Sequence, residues 1–380
     1  MSHHDAIVVG GGIVGAACAW ELARTGRRVL VLEAAAGTGG GATAAGMGHI
    51  IVADDSEPQF ALCRWSRQLW DELADRLPAG VERQNCGCLW LATDDEEMQL
   101  VRDKSEFYNN RGVRAEVLDQ QQLREAEPAL TDALVGALRI PDDSVVYPPA
   151  AVEWLLADVV SGGGVVRRGV TVLRVEGGGV TTRIGERIEA DIVVNAAGER
   201  AFDLVPDSKL QGQVRPRKGH LAITERDQRL TQHQVAELGY FRSAHDPNTA
   251  SVAFNVQPRS TDQMLIGSSR QFGDTDSSID PAILASMLRR AVALLPPLAE
   301  LRVLRTWTGF RAATPDKLPF IGPVPGHDGL WLATGHEGLG ITTSMGTGRL
   351  IAALATGVEP EIDPRPYRLD RDLASWSTKA

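Results

Sequence analysis

The chain has 380 residues, long enough to outgrow a single hydrophobic core, and its 43% hydrophobic content is that of a globular protein rather than a disordered one. A formal net charge of -10 argues against a nucleic-acid or anionic-membrane surface, which needs a basic footprint, and no apolar run reaches the length of a bilayer span. The four cysteines, Cys18, Cys63, Cys86 and Cys88, match neither a C-x-x-C redox pattern nor a zinc-ligand set; no metal site is expected, and buried or half-buried free thiols suit a reducing cytoplasm.

In chain order, residues 6–9 form a short continuous apolar run that predicts a strand buried on both faces. Residues 13–24 carry apolar side chains at helical spacing, and 29–32 predict a second buried strand. Between them Gly10, Gly12 and Gly15 fit G-x-G-x-x-G, with Glu33 closing the second strand. In such a motif the first glycine permits the tight turn, the second lets backbone approach a pyrophosphate, and the third lets helix pack on strand. The helix N-terminus offers its N–H groups to phosphates, and the terminal acid accepts from ribose hydroxyls. The motif begins within ten residues of the N-terminus, so no secretory or targeting segment is expected before it.

Next, 58–77 predict a long amphipathic helix ended by Pro78 and Gly80, 88–93 a strand, and 96–111 a helix closed by Gly112. An extended segment leads into a helix over 150–161. Residues 162–198 alternate β-branched runs with glycine turns, which predicts a meander ending in a buried strand at 192–195. Between 213 and 311, "GHLAIT", "ASVAFNVQP" and "QMLIGSS" read as strands before a helix over 281–295; without strand-helix alternation, this block is expected to be antiparallel. Near the C-terminus the opening theme returns, as a strand at 330–333, a glycine-rich turn and a helix to 355. Discontinuous domains follow: 1–82, 145–212 and 312–368 as the nucleotide-binding domain, 83–144 and 213–311 as the substrate domain, and 369–380 as a tail.

Residues 37–50, "GTGGGATAAGMGHI", separate flavin from nicotinamide. Small side chains leave room for a bulky ring, where a nicotinamide dehydrogenase normally continues into another βα unit. The opening motif, "AAGMGH", "VVNAAG", "GFRAATPDKLPFIG" and "ATGHEGLGITTSMGTGRL" resemble the FAD-dependent D-amino-acid oxidase family. Within it they are similar to the glycine oxidase and sarcosine oxidase branch, including the catalytic subunits of D-hydroxyproline and opine dehydrogenases, over nearly the whole chain. The resemblance implies an α/β fold, α+β overall: a Rossmann-like FAD-binding domain with an interleaved antiparallel substrate domain, of the glutathione-reductase type. It also implies that Gly10, Gly12, Ile13, Val14, Gly15, Glu33 and Ala34 hold the ADP half of FAD, with Thr43, Ala44, Gly46 and Met47 along the diphosphate and flavin. For Ala44 and Gly46 simple packing is the alternative. Val172 resembles the position whose backbone meets adenine, and Ala197 and Gly198 join the cofactor set through "VVNAAG". Gly335, Glu337, Gly338, Leu339, Gly340, Ile341 and Thr342 match the turn and helix that meet the pyrimidine and ribityl chain. Covalent members of the branch use a C-terminal cysteine, and none follows Cys88, so the FAD is expected to be non-covalent.

Arg311 matches the family arginine that clamps the substrate carboxylate, for which a bidentate guanidinium is well suited. Where glycine oxidases carry a further arginine shortly after the late Gly-His pair, Gly335-His336 is followed here by Glu337 and Gly338, leaving room for a bulkier or N-substituted substrate. His49, His336, Tyr240 and Gln257 are further catalytic candidates, with His220, Phe241 and Asn255 behind them. The implied reaction moves a hydride from the substrate Cα to flavin, and water hydrolyses the imine. The partners implied are a small amino or imino acid and either dioxygen or a redox partner subunit, with self-association left open. The alternatives are a dehydrogenase subunit, a non-catalytic assembly subunit and a tRNA-modifying flavoprotein, the last disfavoured by the acidic charge.

Overall fold

The two apolar runs at the N-terminus become neighbouring parallel strands, His4–Val9 and Val29–Glu33, with Val8 opposite Val31. They belong to a computed structural model that describes residues 4–53, 55–205, 211–239 and 251–373. The chain divides into two compact units, one of Met1–Val81, Val146–Arg217 and Phe310–Ala380, the other of Glu82–Val145 and Lys218–Gly309.

In the first unit the sheet runs Phe320–Pro323, Leu330–Thr334, Arg187–Asn195, His4–Val9, Val29–Glu33, Val165–Arg168. All neighbours are parallel except the first pair. Ala6, Val8, Val29 and Val31 face one core with the helices, whereas Ile7, Val9, Leu30 and Leu32 face a second with Phe202 and Phe320. Burial on both faces explains why these strands read as unbroken apolar runs. The 162–198 meander is only partly as expected. Val165–Arg168 pairs parallel with Val29–Glu33, because the helix Pro148–Ser161 before it makes a crossover; the strands Val172–Glu176, Gly179–Thr182 and Arg187–Asn195 form the antiparallel remainder.

Helix Ile13–Arg24 lies against the late helix Gly340–Thr356, and a Cβ on Gly348 would stand 2.5 Å from the Ala17 carbonyl oxygen, so glycine sets their approach. Helix Glu57–Glu72 is capped by Ser56, whose hydroxyl accepts from the Gln59 amide; it gives way to a 3-10 turn at Ala74–Arg76 before the expected end. This helix pins the start of the late helix. Its Trp70 indole donates to the Ile341 carbonyl at 3.1 Å and its Ser66 hydroxyl to the Thr342 carbonyl at 2.6 Å.

The second unit is built on an eight-stranded sheet in the order Val303–Ala313, Arg215–Thr224, Met264–Phe272, Ser251–Pro258, Gln234–Glu237, Cys88–Ala92, Gly136–Ile140, Glu116–Asp119. It departs from the antiparallel expectation where Gln234–Glu237 and Cys88–Ala92 run parallel. One face packs Leu89, Leu91, Val235, Phe254, Val256 and Ile266 against Met287, Ala291 and Leu294 of helix Pro281–Leu294. A bulge interrupts the ladder between Val252 and Asn255; there the Phe254 amide donates to Glu237 Oε1 at 2.6 Å, so a buried carboxylate replaces the lost strand partner. Cys18, Cys63 and Cys88 are buried, Cys86 is half-buried, and none of the four is in a disulfide.

Candidate functional site

The cradle begins where the first strand ends. Gly10 has φ +108°, and a Cβ there would lie 2.5 Å from the Ala196 carbonyl oxygen. One on Gly15 would stand 2.0 Å from the Gly10 carbonyl oxygen. Neither position tolerates a side chain, so turn and helix close into the tight arrangement that brings backbone N–H groups to a phosphate. Helix Ile13–Arg24 starts at Gly12 with no acidic residue in its first turn, and the Ile13 amide donates to Thr43 Oγ1 at 3.0 Å. Glu33 Oε2 accepts from the Gly11 amide at 2.7 Å and Oε1 from the Ala35 amide at 2.8 Å. Each carboxylate oxygen keeps a lone pair for a ribose hydroxyl.

The other glycine turn closes on the first. A Cβ on Gly340 would be 3.5 Å from His336 Cβ and 3.9 Å from Val14 Cγ2, which brings the starts of the first and late helices together. The late helix starts at Leu339 with neither a side-chain cap nor an acid in its first turn. Gly46 lies against it, since a Cβ there would come within 2.7 Å of Ile341 Cδ1; Thr43 and Met47 are buried nearby in sequence, while Ala34 and Ala44 are exposed. Thr342 Oγ1 donates to the His49 carbonyl at 2.9 Å and accepts from the Ile51 amide at 3.2 Å. His49 itself is half-buried. Gly335 has φ +81°, and Thr314 would collide with any side chain there. On the third loop the Ala197 amide donates to Asn195 Oδ1, and Gly198, φ +61°, accepts from Thr334 Oγ1 at 2.6 Å. Val172 is buried on its strand. Two helix N-termini without an acid in the first turn, glycines that admit no Cβ and a strand-end carboxylate are what a dinucleotide diphosphate and ribose need, so the residues present fit FAD.

Arg311 is half-buried near the end of strand Val303–Ala313, and its Cδ and Nε lie 3.8 Å from where a Cβ on Gly338 would be. The next residue's carbonyl, on Ala312, accepts from the Glu337 amide at 2.9 Å, fastening that strand to the late turn. The Glu337 carboxylate pairs with Arg217, a buried guanidinium that the sequence reading did not single out; its only signal was the basic run "RPRK" at 215–218. His336 is buried with Nε2 3.0 Å from Thr347 Oγ1, and burial pushes its pKa down to about 3, so the ring is neutral.

On the second unit, Gln257 and Asn255 lie on the sheet face opposite the helix-packed core residues Phe254 and Val256. Both are buried, and among the described residues their amide oxygens have no hydrogen-bond partner. The register places Gln234, whose whole amide lacks a partner, opposite Gln257, and sets Asn255 between Ala236 and Gly267. Asn255 thus has small neighbours on both sides; sequence reading missed Gln234, because only strand register reveals it. His220 is committed elsewhere, its Nε2 accepting from the Asp280 amide at 3.0 Å and its Nδ1 2.9 Å from Ser269 Oγ. Tyr240 and Phe241 lie outside the described residues. Among the described residues no group of His, Cys, Asp and Glu could hold a metal ion, and no helix is long and apolar enough to cross a membrane.

Comparison with known proteins agrees with this geometry. Residues 5–354 match the family described as DAO, FAD dependent oxidoreductase. The chain is 30% identical to a glycine oxidase of Geobacillus kaustophilus (strain HTA426), covering 98% of each chain, and 28% identical to a D-amino acid dehydrogenase of Methylobacterium nodulans, covering 94% of this chain and 96% of the relative. The crystal structure of glycine oxidase from Geobacillus kaustophilus superposes with a TM-score of 0.89 at 29% identity, over 98% of this chain and 100% of the other.

Proposed function

Since the chain belongs to the FAD-dependent oxidoreductase family, we propose that it oxidises the Cα–N bond of a small amino, imino or N-substituted amino acid. The observation that carries this reading is Arg311 beside Gly338: a guanidinium set against the glycine turn that closes the cofactor cradle. Bound FAD supplies the two-electron acceptor. The Gly12 and Val14 N–H groups at the start of the first helix would receive the diphosphate, Glu33 would receive ribose hydroxyls, and the late helix would direct its positive end at the cofactor. Residues 43–47, 197–198 and 335–342 complete the cradle, and Val172 meets the adenine. Residues 1–82, 145–212 and 312–368 are then the FAD-binding domain, and 83–144 and 213–311, which carry Arg311, the substrate domain.

Arg311 forms a planar two-bonded pair with the substrate carboxylate and so fixes the direction of the Cα–H bond. His336, neutral and bonded to Thr347, holds the late turn in place. With the substrate nitrogen unprotonated, its lone pair forms the C=N bond as the Cα–H electrons leave; water then adds to the imine and releases a carbonyl compound and an amine or ammonia. Dioxygen or a redox acceptor would take up the two electrons. FAD is held without a covalent bond, and the protein works in the cytoplasm. The test is product analysis of the FAD-loaded protein with glycine, sarcosine, D-alanine, D-proline and N-carboxymethyl amines under air and with an artificial acceptor. A carbonyl product and an amine in equal amounts from one class are expected; no carbonyl product from any of them overturns the reading.

A further inference from the structure

Glu337 stands in the left-handed region at φ +50°, within a turn that already uses Gly335, Gly338 and Gly340. A glycine or asparagine would sit there with less strain, so backbone geometry does not account for a glutamate. Its carboxylate does. The side chain is 14% exposed and pairs with Arg217, whose side chain is 7% exposed, while its backbone amide bonds the carbonyl next to Arg311. Two guanidinium groups therefore flank successive turn residues, Arg217 at Glu337 and Arg311 at Gly338, and the glutamate leaves these three side chains with a single net positive charge.

We propose that Glu337 determines specificity by matching the site to substrates with one carboxylate. One negative charge on the substrate satisfies Arg311; a second, on its side chain or nitrogen substituent, meets a carboxylate in place of an available guanidinium, and like charges at short range in a poorly solvated setting repel. The substrate class narrows to neutral, monocarboxylic amino or imino acids. Dicarboxylic amino acids and iminodiacetate-like compounds are rejected. This inference rests on Arg311 being the carboxylate anchor.

The test uses the FAD-loaded protein and two inert anions, propionate and malonate, with binding read by calorimetry and flavin reduction measured in parallel with sarcosine and iminodiacetate. Wild type favours propionate and sarcosine. Glu337→Gln raises the malonate-to-propionate affinity ratio at least about tenfold, which corresponds to 1.4 kcal/mol, and moves the reduction rates in the same sense. Glu337→Asp keeps the wild-type ratio. The Arg217→Met/Glu337→Gln double variant loses the gain, because the cation that would receive the second carboxylate is gone. Should Glu337→Gln fail to hold FAD, Glu337→Gly relieves the backbone and carries the same expected shift. An unchanged ratio in the variant that holds FAD, or a gain that persists in the double variant, overturns the inference. Arg311→Leu keeps the two claims apart: propionate binding that survives it defeats the anchor reading, whereas its loss together with an unchanged Glu337→Gln ratio defeats the specificity claim alone.

Discussion

The sheets of the two units use their second faces differently. In the first unit both faces are apolar, Val8 and Val31 toward one core and Ile7 and Leu32 toward the other, and the polar chemistry sits at strand ends, in backbone turns. In the second unit one face is apolar, while the opposite face carries Gln234, Asn255 and Gln257, whose amide oxygens have no partner among the described residues. A site made of backbone N–H groups needs glycines at fixed spacing and leaves a motif in the sequence. One made of side chains on neighbouring strands depends on register, and leaves none.

If that contrast is right, damage to the glycine turns acts on the cofactor, and damage to side chains on the sheet that begins with Val303–Ala313, Arg311 among them, acts on the substrate. The largest effect is expected at Gly15, where a Cβ meets the Gly10 carbonyl oxygen at 2.0 Å. Gly15→Val should abolish FAD uptake altogether, measured as flavin released per folded chain; normal stoichiometry would refute the close approach. Arg311→Leu should keep FAD yet reduce it at least about thirtyfold less efficiently at limiting substrate, from a loss of roughly 2–5 kcal/mol for an unpaired carboxylate. Arg311→Lys should restore only part, since an ammonium lacks the planar fork.

A smaller effect concerns His336. Its folded pKa is depressed to about 3, below the ordinary value of 6.5, so the unfolded chain takes up the proton first. The stability held above the unfolded pKa is lost as pH falls from 6.5 toward 3, at about 1.4 kcal/mol per pH unit. Urea unfolding at pH 6.5 and pH 5 should show a drop that shrinks by about 2 kcal/mol in His336→Asn. An identical drop in both proteins would place the acid sensitivity elsewhere. Smallest, and opposite in sign, is Gln257→Leu: removing a buried amide whose oxygen has no partner among the described residues should stabilise the protein by about 1 kcal/mol while lowering substrate efficiency. Stabilisation with unchanged efficiency would show that the amide face is structural.

How much was legible follows the same division. Gly10, Gly12, Gly15 and Glu33 were readable because a turn that excludes Cβ atoms and a strand-end acid are local facts. The helices were readable by period, apart from ends such as the 3-10 turn at Ala74–Arg76. Val165–Arg168 was misplaced because two valines and two arginines give no sign of whether a strand turns back or crosses over. The parallel pairing of Gln234–Glu237 with Cys88–Ala92 joins segments more than a hundred residues apart and had no local trace. Arg217 escaped notice because its meaning lies in Glu337, 120 positions later, and only the fold brings them together.

The most direct test of the central claim is rapid anaerobic mixing of the FAD-loaded protein with saturating glycine, sarcosine, D-amino acids, D-proline and N-carboxymethyl amines, following the visible flavin band. The account predicts that one monocarboxylic class bleaches the band in a single saturable phase and that Arg311→Leu bleaches far more slowly with the same compound. A band that persists with every compound, yet disappears on adding dithionite, would contradict it.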